Sequence, residues 1–378
     1  MEKNVRDLIY LLSCAVDSKT PDKAKIAEMD LERLYSIAKA HSVSAAAGIA
    51  LSKAGISNDH FRNAYNQSLR RSVIFDAERS RLLNELEKQK IWYMPLKGSL
   101  LKDYYPVAGM REMADADILF DKERHDDLRE IMLAAGFKPE NKEKNHHDAY
   151  MKPPILNFEM HTTLFSHHAD EKLRSYYSDI SRLLIRDEDN EYGYHMSEND
   201  LYIYLTAHEY NHFRVGGTGL RSLMDNYVFL REKGDSLDKE YVAEQLRQTG
   251  MTDYDNKRRE LAYKLFSSAG SAELTPEEES FLQKYVSSGT YGTFSNKARN
   301  AIENLSSDGK KHSKLYYIRR RMFPDIKYMN KHFPQFFRCK LFIPFAYIWR
   351  LLKVVIRHPG QLTAEFEAIN EINTSRKA

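Results

Sequence analysis

The chain has 378 residues, enough for two or three domains with a sizeable core, and its 42% hydrophobic and 29% charged content is that of an ordinary globular protein. Its 57 basic and 54 acidic residues leave a net charge of +3, which excludes binding of polyanions through overall charge, so any basic surface must be local. Two cysteines far apart in sequence, Cys14 and Cys339, exclude a disulfide framework and fit a reducing cytosol.

The opening stretch MEKNVRDLIYLLSCAVDSK has no basic segment ahead of its apolar residues and reads as an amphipathic helix, not a signal peptide. Helices are predicted as far as about residue 90, through alanine-rich AKAHSVSAAAGIALSKAG and then FRNAYNQSLRRSVIFDAERSRLLNELEKQK, where Ile74, Phe75, Leu82, Leu83 and Leu86 recur at helical spacing. The pattern then changes. Ile91 to Leu96 is strand-like, Gly98-Ser99 opens a short helix, and Ala114 to Phe120 is a second strand. Arg124 to Ala135 reads as a helix closed by Gly136, followed by strands around Ala149-Tyr150-Met151 and from Ile155 to His161. From Ser197-Glu198-Asn199-Asp200, an N-cap and first turn, helix returns to about residue 305, with loops at RVGGTG and EKGDS. The predicted fold class is α+β: a small mixed β-sheet core at 91–195, set between an N-terminal helical region (1–90) and a C-terminal helical region (196–308).

The remaining residues, 309–378, form a tail whose stretch 314–358 interleaves Arg and Lys with Phe, Tyr, Trp and Ile and is cut by three prolines. One reading is a helical tail packed on the body with its charges in solvent; another is a peripheral anchor on anionic lipid; nucleic acid binding ranks below both. The longest apolar run, Leu341 to Trp349, is interrupted by Pro344 and is less than half of the ~20 residues a spanning helix needs. The expected location is the cytoplasm, with the tail at the inner face of the membrane under the second reading.

Chemistry concentrates between residues 96 and 161. Asp115 and Asp117 enter an apolar strand, where an unpaired carboxylate is costly. Residues i and i+2 of a strand share a side, which puts the two carboxylates roughly 6 to 7 Å apart at the backbone. That suits a pair of hard divalent ions about 3.5 to 4 Å apart, as in two-metal phosphoryl transfer. Glu159, in another apolar strand, is the candidate third carboxylate, and His161 on the same strand face either orients that acid or is a packed core histidine. Gly98-Ser99 offers small side chains and backbone N–H groups at a helix start, a cradle for phosphates, with Lys97 and Arg111 as neutralising cations. An Asp-x-Asp pair alone is most often solvated on a surface strand; here order and spacing carry the weight.

These residues resemble the polymerase-β-like nucleotidyltransferase superfamily, whose pattern is a hydrophobic residue, Gly and Gly or Ser, about a dozen residues, Asp-hydrophobic-Asp or Glu, and a third acid on a later strand. More closely, LKGSLLKDYYP, Arg111, DADILF, the helix ending in AGF, and FEMHTTL are similar to a bacterial branch of uncharacterised nucleotidyltransferases. The resemblance continues through AHEYNH and LRSLMDNYVFL and the basic tail, over roughly residues 30 to 360. It implies metal ligation by Asp115, Asp117 and Glu159, and phosphate binding by the loop at Gly98 and Ser99. It further implies two Mg²⁺ ions and transfer of a nucleoside monophosphate from an NTP, ATP foremost, to an acceptor that is a small molecule, a sugar or a protein. Glu159 is also the candidate to activate the acceptor hydroxyl. The chain departs from the family at Ala114, usually Gly, and Ala116, usually branched. The alternative is therefore a non-catalytic nucleotide-binding or partner-binding protein of the same fold.

A rival motif is His208-Glu209-Tyr210-Asn211-His212, which matches H-E-x-x-H and would place two zinc ligands on one helix face with Glu209 as general base of a zinc hydrolase. The extended form with a third histidine is absent from FRVGGTGLRSL. The other expectation for His208 and His212 is a place lining the groove beside the catalytic core. Arg221 and Asp225, at i and i+4, are expected to pair, and the doublets His146-His147 and His167-His168 are assigned to surface loops without metal.

Overall fold

The computed structural model describes residues 1–140, 147–167, 169–268, 271–290, 319, 323–337 and 340–357. Expectations for His146, His168, the helical region after residue 290, Cys339 and the tail at 309–318, 320–322 and 358–378 lie outside the described residues. The chain divides into two compact units: Met1–Asn211 with Gly219–Val286, and His212–Thr218 with Ser287–Ala378.

The first unit begins with five helices, α1 (Lys3–Val16), α2 (Lys23–Ala27), α3 (Leu31–Ala40), α4 (Ser44–Lys53) and α5 (Asp59–Lys88). Side-chain caps start three of them: Asp22 accepts from the Ala24 N–H, Asp30 from Arg33, and Asn58 from His60 and Phe61. The 30-residue α5 buries Phe75, Leu82 and Leu86 at helical spacing and presents them to a sheet, while Phe61 near its start packs edge-on against Tyr35 of α3.

That sheet has five strands, β1 (Tyr93–Pro95), β2 (Ala116–Phe120), β3 (Lys138–Glu140), β4 (His147–Lys152) and β5 (Leu156–His161), in the order β1-β2-β5-β4-β3. β2 and β5 run parallel and the other neighbours antiparallel, so the sheet is mixed. β3 was not legible in the sequence because Lys138-Pro139-Glu140 is exposed throughout; as an edge strand it tolerates a proline and has no apolar face to show. Between the strands lie the one-turn α6 (Gly98–Leu101) and α7 (His125–Ala134), whose C-terminal turn passes through Gly136 at φ +83°.

Strand parity divides the sheet. Ala116, Ile118, Phe120, Tyr150, Leu156, Phe158 and Met160 face α5 and α7, packing against Phe75, Leu82, Leu86, Leu128 and Met132. The alternate residues face the opposite way, where Met94, Leu96 and Leu119 join a core with Tyr202, Tyr204, Ala207 and Phe229. Those partners come from α9 (Glu198–Val215) and α10 (Leu220–Lys233), preceded by α8 (Glu171–Tyr176) and the short pair β6 (Ile185–Arg186) and β7 (Tyr194–His195). Helix α9 opens on Ser197, whose hydroxyl accepts from the Asp200 N–H at 3.1 Å. α11 (Lys239–Thr249), α12 (Thr252–Ser267) and α13 (Pro276–Val286) complete the unit.

In the second unit, helices Ile326–His332 and Ile343–Arg357 share a small core of Met329, Phe333 and Ala346. Among the described residues no helix is long and apolar enough to cross a membrane.

Candidate active site

The register of the central strands brings the predicted acids together. Asp117 of β2 pairs directly with Glu159 of β5, and Asp115 lies two residues earlier, just ahead of the strand, which begins at Ala116 and not at the expected Ala114. Asp117 is 5% exposed, and its Oδ1 receives both the Lys97 ammonium at 2.7 Å and His161 Nε2 at 2.8 Å. Burial alone would favour the protonated acid; Lys97 and His161 outweigh it and hold the carboxyl well below the usual range. The same contact keeps Lys97 charged despite its own burial.

Asp115 is in the opposite situation. Its carboxylate is half-buried and no hydrogen bond from the described residues reaches it. Burial raises its pKa and the Asp117 charge raises it further, while Lys97, Arg221 and Arg111 pull the other way. A half-buried acid beside an ionised acid is a site short of positive charge.

The loop before α6 is built against this pair. Leu96 donates its N–H to the Asp117 carbonyl at 2.9 Å, so the chain leaves β1 alongside the acid. Lys97 then takes φ +50° and ψ −118°, a backbone conformation that costs about 1–3 kcal/mol for a residue with a Cβ. Its carbonyl accepts from Leu100 and Leu101, and the Arg79 guanidinium bonds the Ser99 carbonyl at 3.1 Å. Gly98 is required by close approach: a Cβ there would meet Arg111 Nη1 at 2.6 Å. Ser99 is buried and its hydroxyl has no hydrogen-bond partner among the described residues. Because α6 is a single turn its dipole is small, and what the loop could offer to an anion is that hydroxyl and the first-turn N–H groups without intrahelical acceptors.

Arg111 differs from the expected phosphate cation in one respect. Its Nε and Nη2 form a fork on Asp225 at 2.8 and 2.9 Å, with the Tyr105 hydroxyl on the same carboxylate at 2.5 Å, leaving Nη1 over Gly98. The expected pairing of Arg221 with Asp225 is thereby corrected: α10 turns Asp225 toward the buried Arg111, and Arg221 donates instead to the Glu112 carbonyl at 2.9 Å.

Two residues near the acids were missed or misplaced by sequence reasoning. His147 is not on a surface loop: it lies on β4 opposite His161, with Nε2 3.5 Å from Glu159 Oε2. Its signal was the alternation His147, Ala149, Met151, obscured by the charged residues around it. Tyr204 of α9 is fully buried against the electrostatic field of Lys97 and Asp117, with no hydrogen-bond partner for its hydroxyl among the described residues. Helical periodicity alone marks it only as a core aromatic.

The glutamate of the H-E-x-x-H motif is spent on structure. Glu209 is buried, with Oε2 bonded to Arg258 at 2.8 Å and Oε1 accepting from Tyr254 and Tyr285. Arg258 also reaches Asp255 and Thr206. Glu209 is therefore a buried counterion and not a general base. The His208 ring is 6.3 Å from that of Tyr204, and His212 falls in the second unit.

Compared with known proteins, residues 27–266 match the profile of a family described as uncharacterised nucleotidyltransferase. No curated protein and no solved structure matches the chain.

Proposed function

The chain belongs to the uncharacterised nucleotidyltransferase family, and from that premise we propose that it is a Mg²⁺-dependent enzyme transferring a nucleoside monophosphate from an NTP, ATP foremost, to an acceptor hydroxyl. The observation that carries the reading is Asp115: an acid without a hydrogen-bond partner among the described residues, next to ionised Asp117 and one loop away from the unpartnered Ser99 hydroxyl. Residues 91–195 are the transferase core in this reading, between the helical region at 1–90 and the helices that follow from Glu198 to Val286.

Asp115 and Asp117 would hold Mg²⁺, with Glu159 as the third acid; the ions, when bound, neutralise phosphate charge and stabilise the attacking and leaving oxygens. The Ser99 hydroxyl and first-turn N–H groups receive phosphate oxygens. Lys97, already 2.7 Å from Asp117, meets the pyrophosphate as it leaves, and Arg111 Nη1 holds the loop closed over Gly98. In the transfer the acceptor oxygen bonds to the α-phosphorus, the bond to the bridging oxygen breaks, pyrophosphate departs, and Glu159 receives the hydroxyl proton. The acceptor is a small molecule, a sugar or a protein; Lys97 and Arg111 beside the acids are each already paired with a carboxylate and form no basic groove, which disfavours nucleic acid.

Calorimetric titration with a non-hydrolysable ATP analogue, with and without Mg²⁺, tests this on the wild type and Asp117→Asn. Binding that needs Mg²⁺ and is lost in the variant supports it. Binding that persists in the variant, or that ignores Mg²⁺, selects the non-catalytic alternative. For the tail, the proposed partner is anionic lipid on the cytoplasmic side. On helix Ile343–Arg357, Phe345, Ile348, Trp349 and Leu352 form an exposed apolar stripe beside Lys353. Co-sedimentation with anionic but not neutral vesicles is the expected outcome.

A further inference from the structure

We infer that His147, Glu159 and His161 form a nitrogen-rich site for one first-row transition-metal ion of the Zn²⁺ or Mn²⁺ class, held by the protein in the absence of nucleotide. This deepens the transferase reading and rests on it for the role of the ion, though not for its binding.

The site comes from paired strands. β4 and β5 run antiparallel with His147 opposite His161 and Ala149 opposite Glu159, so both imidazoles and the carboxylate share one face. One ligand atom from each of the three lies within 4.8 Å of the others. Glu159 Oε2 is 3.5 Å from His147 Nε2 and 3.9 Å from His161 Nε2. An ion about 2.1 Å from each ligand holds neighbouring ligands about 3.0 to 3.4 Å apart, so movements of about half an ångström close the two edges at Glu159, and the edge between the histidines lies within about 1.5 Å of closing. Asp117 Oδ1, 2.8 Å from His161 Nε2, is the adjacent oxygen for a fourth position.

The donors select the metal. Mg²⁺ takes oxygen and keeps its waters, whereas two imidazoles with a carboxylate suit Zn²⁺, Mn²⁺, Fe²⁺ or Co²⁺. Along the register, Asp115 lies before Asp117 and His161 is opposite Leu119, after it. The cluster of acids thus has an all-oxygen end at Asp115 and a nitrogen end at the histidines. Asp115, Asp117 and Glu159 set against Lys97 leave two net negative charges, the charge of one divalent ion. The neutral His161 ring shares its Nε2 hydrogen with Asp117; on binding, the ring takes the other tautomer, with its hydrogen on Nδ1, and the freed Nε2 lone pair takes the ion. In the transferase the ion would stand on the Glu159 side, where the acceptor loses its proton, in place of a second Mg²⁺.

The experiment is a titration of metal-stripped, full-length protein with Co²⁺ in excess Mg²⁺, followed by visible absorption, on the wild type, His147→Ala, His147→Gln and His60→Ala. We expect one equivalent of Co²⁺ with visible bands, not displaced by Mg²⁺, unchanged in the exposed-site control at His60. Both His147 variants should weaken binding at least tenfold, and the glutamine variant, which keeps side-chain size, separates loss of a ligand from loss of packing. No bands in folded wild type, displacement by Mg²⁺, or equal affinity in folded His147 variants overturns the inference. Co²⁺ binding that depends on His147 without any NTP binding keeps the metal site and removes the transferase; NTP binding without Co²⁺ binding does the reverse.

Discussion

Asparagine at position 115 separates what the acid pair costs from what it is for. Two carboxylates about 6.5 Å apart repel by about 2.5 kcal/mol at an effective dielectric constant near 20. The ammonium of Lys97 on Asp117 and the partial exposure of Asp115 reduce the net cost to about 1 kcal/mol. Asp115→Asn should therefore raise the thermal midpoint in EDTA, by roughly 1–3 °C for a chain of this size. With Mg²⁺ and a non-hydrolysable NTP at a hundred times its Kd, the wild type gains about 2.7 kcal/mol from ligand binding while the variant gains little, so the order reverses. Transfer activity in the variant should fall at least about a hundredfold. The pH dependence has a defined sign. The folded-state pKa of Asp115 is raised, so native protein holds that proton more firmly than unfolded chain, and metal-free stability declines as pH rises through the carboxylate range; the variant lacks this decline. A variant that melts below the wild type in EDTA, or that gains as much from Mg²⁺ and nucleotide, would refute the role of Asp115.

The buried ring of His41, which accepts the Leu220 N–H at Nδ1, has its pKa lowered by burial to about 4 against a backbone hydrogen bond to Val286 that works the other way. Unfolded chain takes up this proton below pH 6.5 and folded chain only near 4, so stability falls across that window by up to about 3 kcal/mol, and urea midpoints of His41→Gln should lack that part of the pH dependence. Arg258→Met leaves Glu209 and Asp255 buried without their counterion and should cost about 3–5 kcal/mol, read as a large drop in the denaturation midpoint, and any stabilisation by Zn²⁺ should be the same in both proteins because Glu209 is not a zinc-site base. Tyr204→Phe and Ser99→Ala each remove a buried hydroxyl with no partner among the described residues; free-protein stability should hold or rise slightly, while NTP affinity or the KM for acceptor worsens about fivefold or more. Unchanged binding and kinetics in both variants would remove these hydroxyls from the site.

What the sequence made legible was local. The Asp-x-Asp spacing pointed to two neighbouring acids, of which Asp117 lies on β2 and Asp115 just ahead of it, and the change from helical to strand spacing located the mixed sheet, because both signals live in a few consecutive residues. Three features depended on pairing between distant segments and were not legible. β3 shows no apolar face because it lies at an edge. The partner of Asp225 is Arg111, 114 residues away, and a local i,i+4 rule points to Arg221 instead. His147 carries the clearest lesson, since its doublet with His146 and its charged surroundings gave it the look of a loop. Only the β4–β5 register, which sets it opposite His161 and beside Glu159, turns it into a member of the site. In a mixed sheet whose functional face is crossed by three strands, strand order fixes which parities meet; it is a property of the whole fold, so the strand parity readable in β2 and β5 reached the acids, and the histidine beside them needed the third strand.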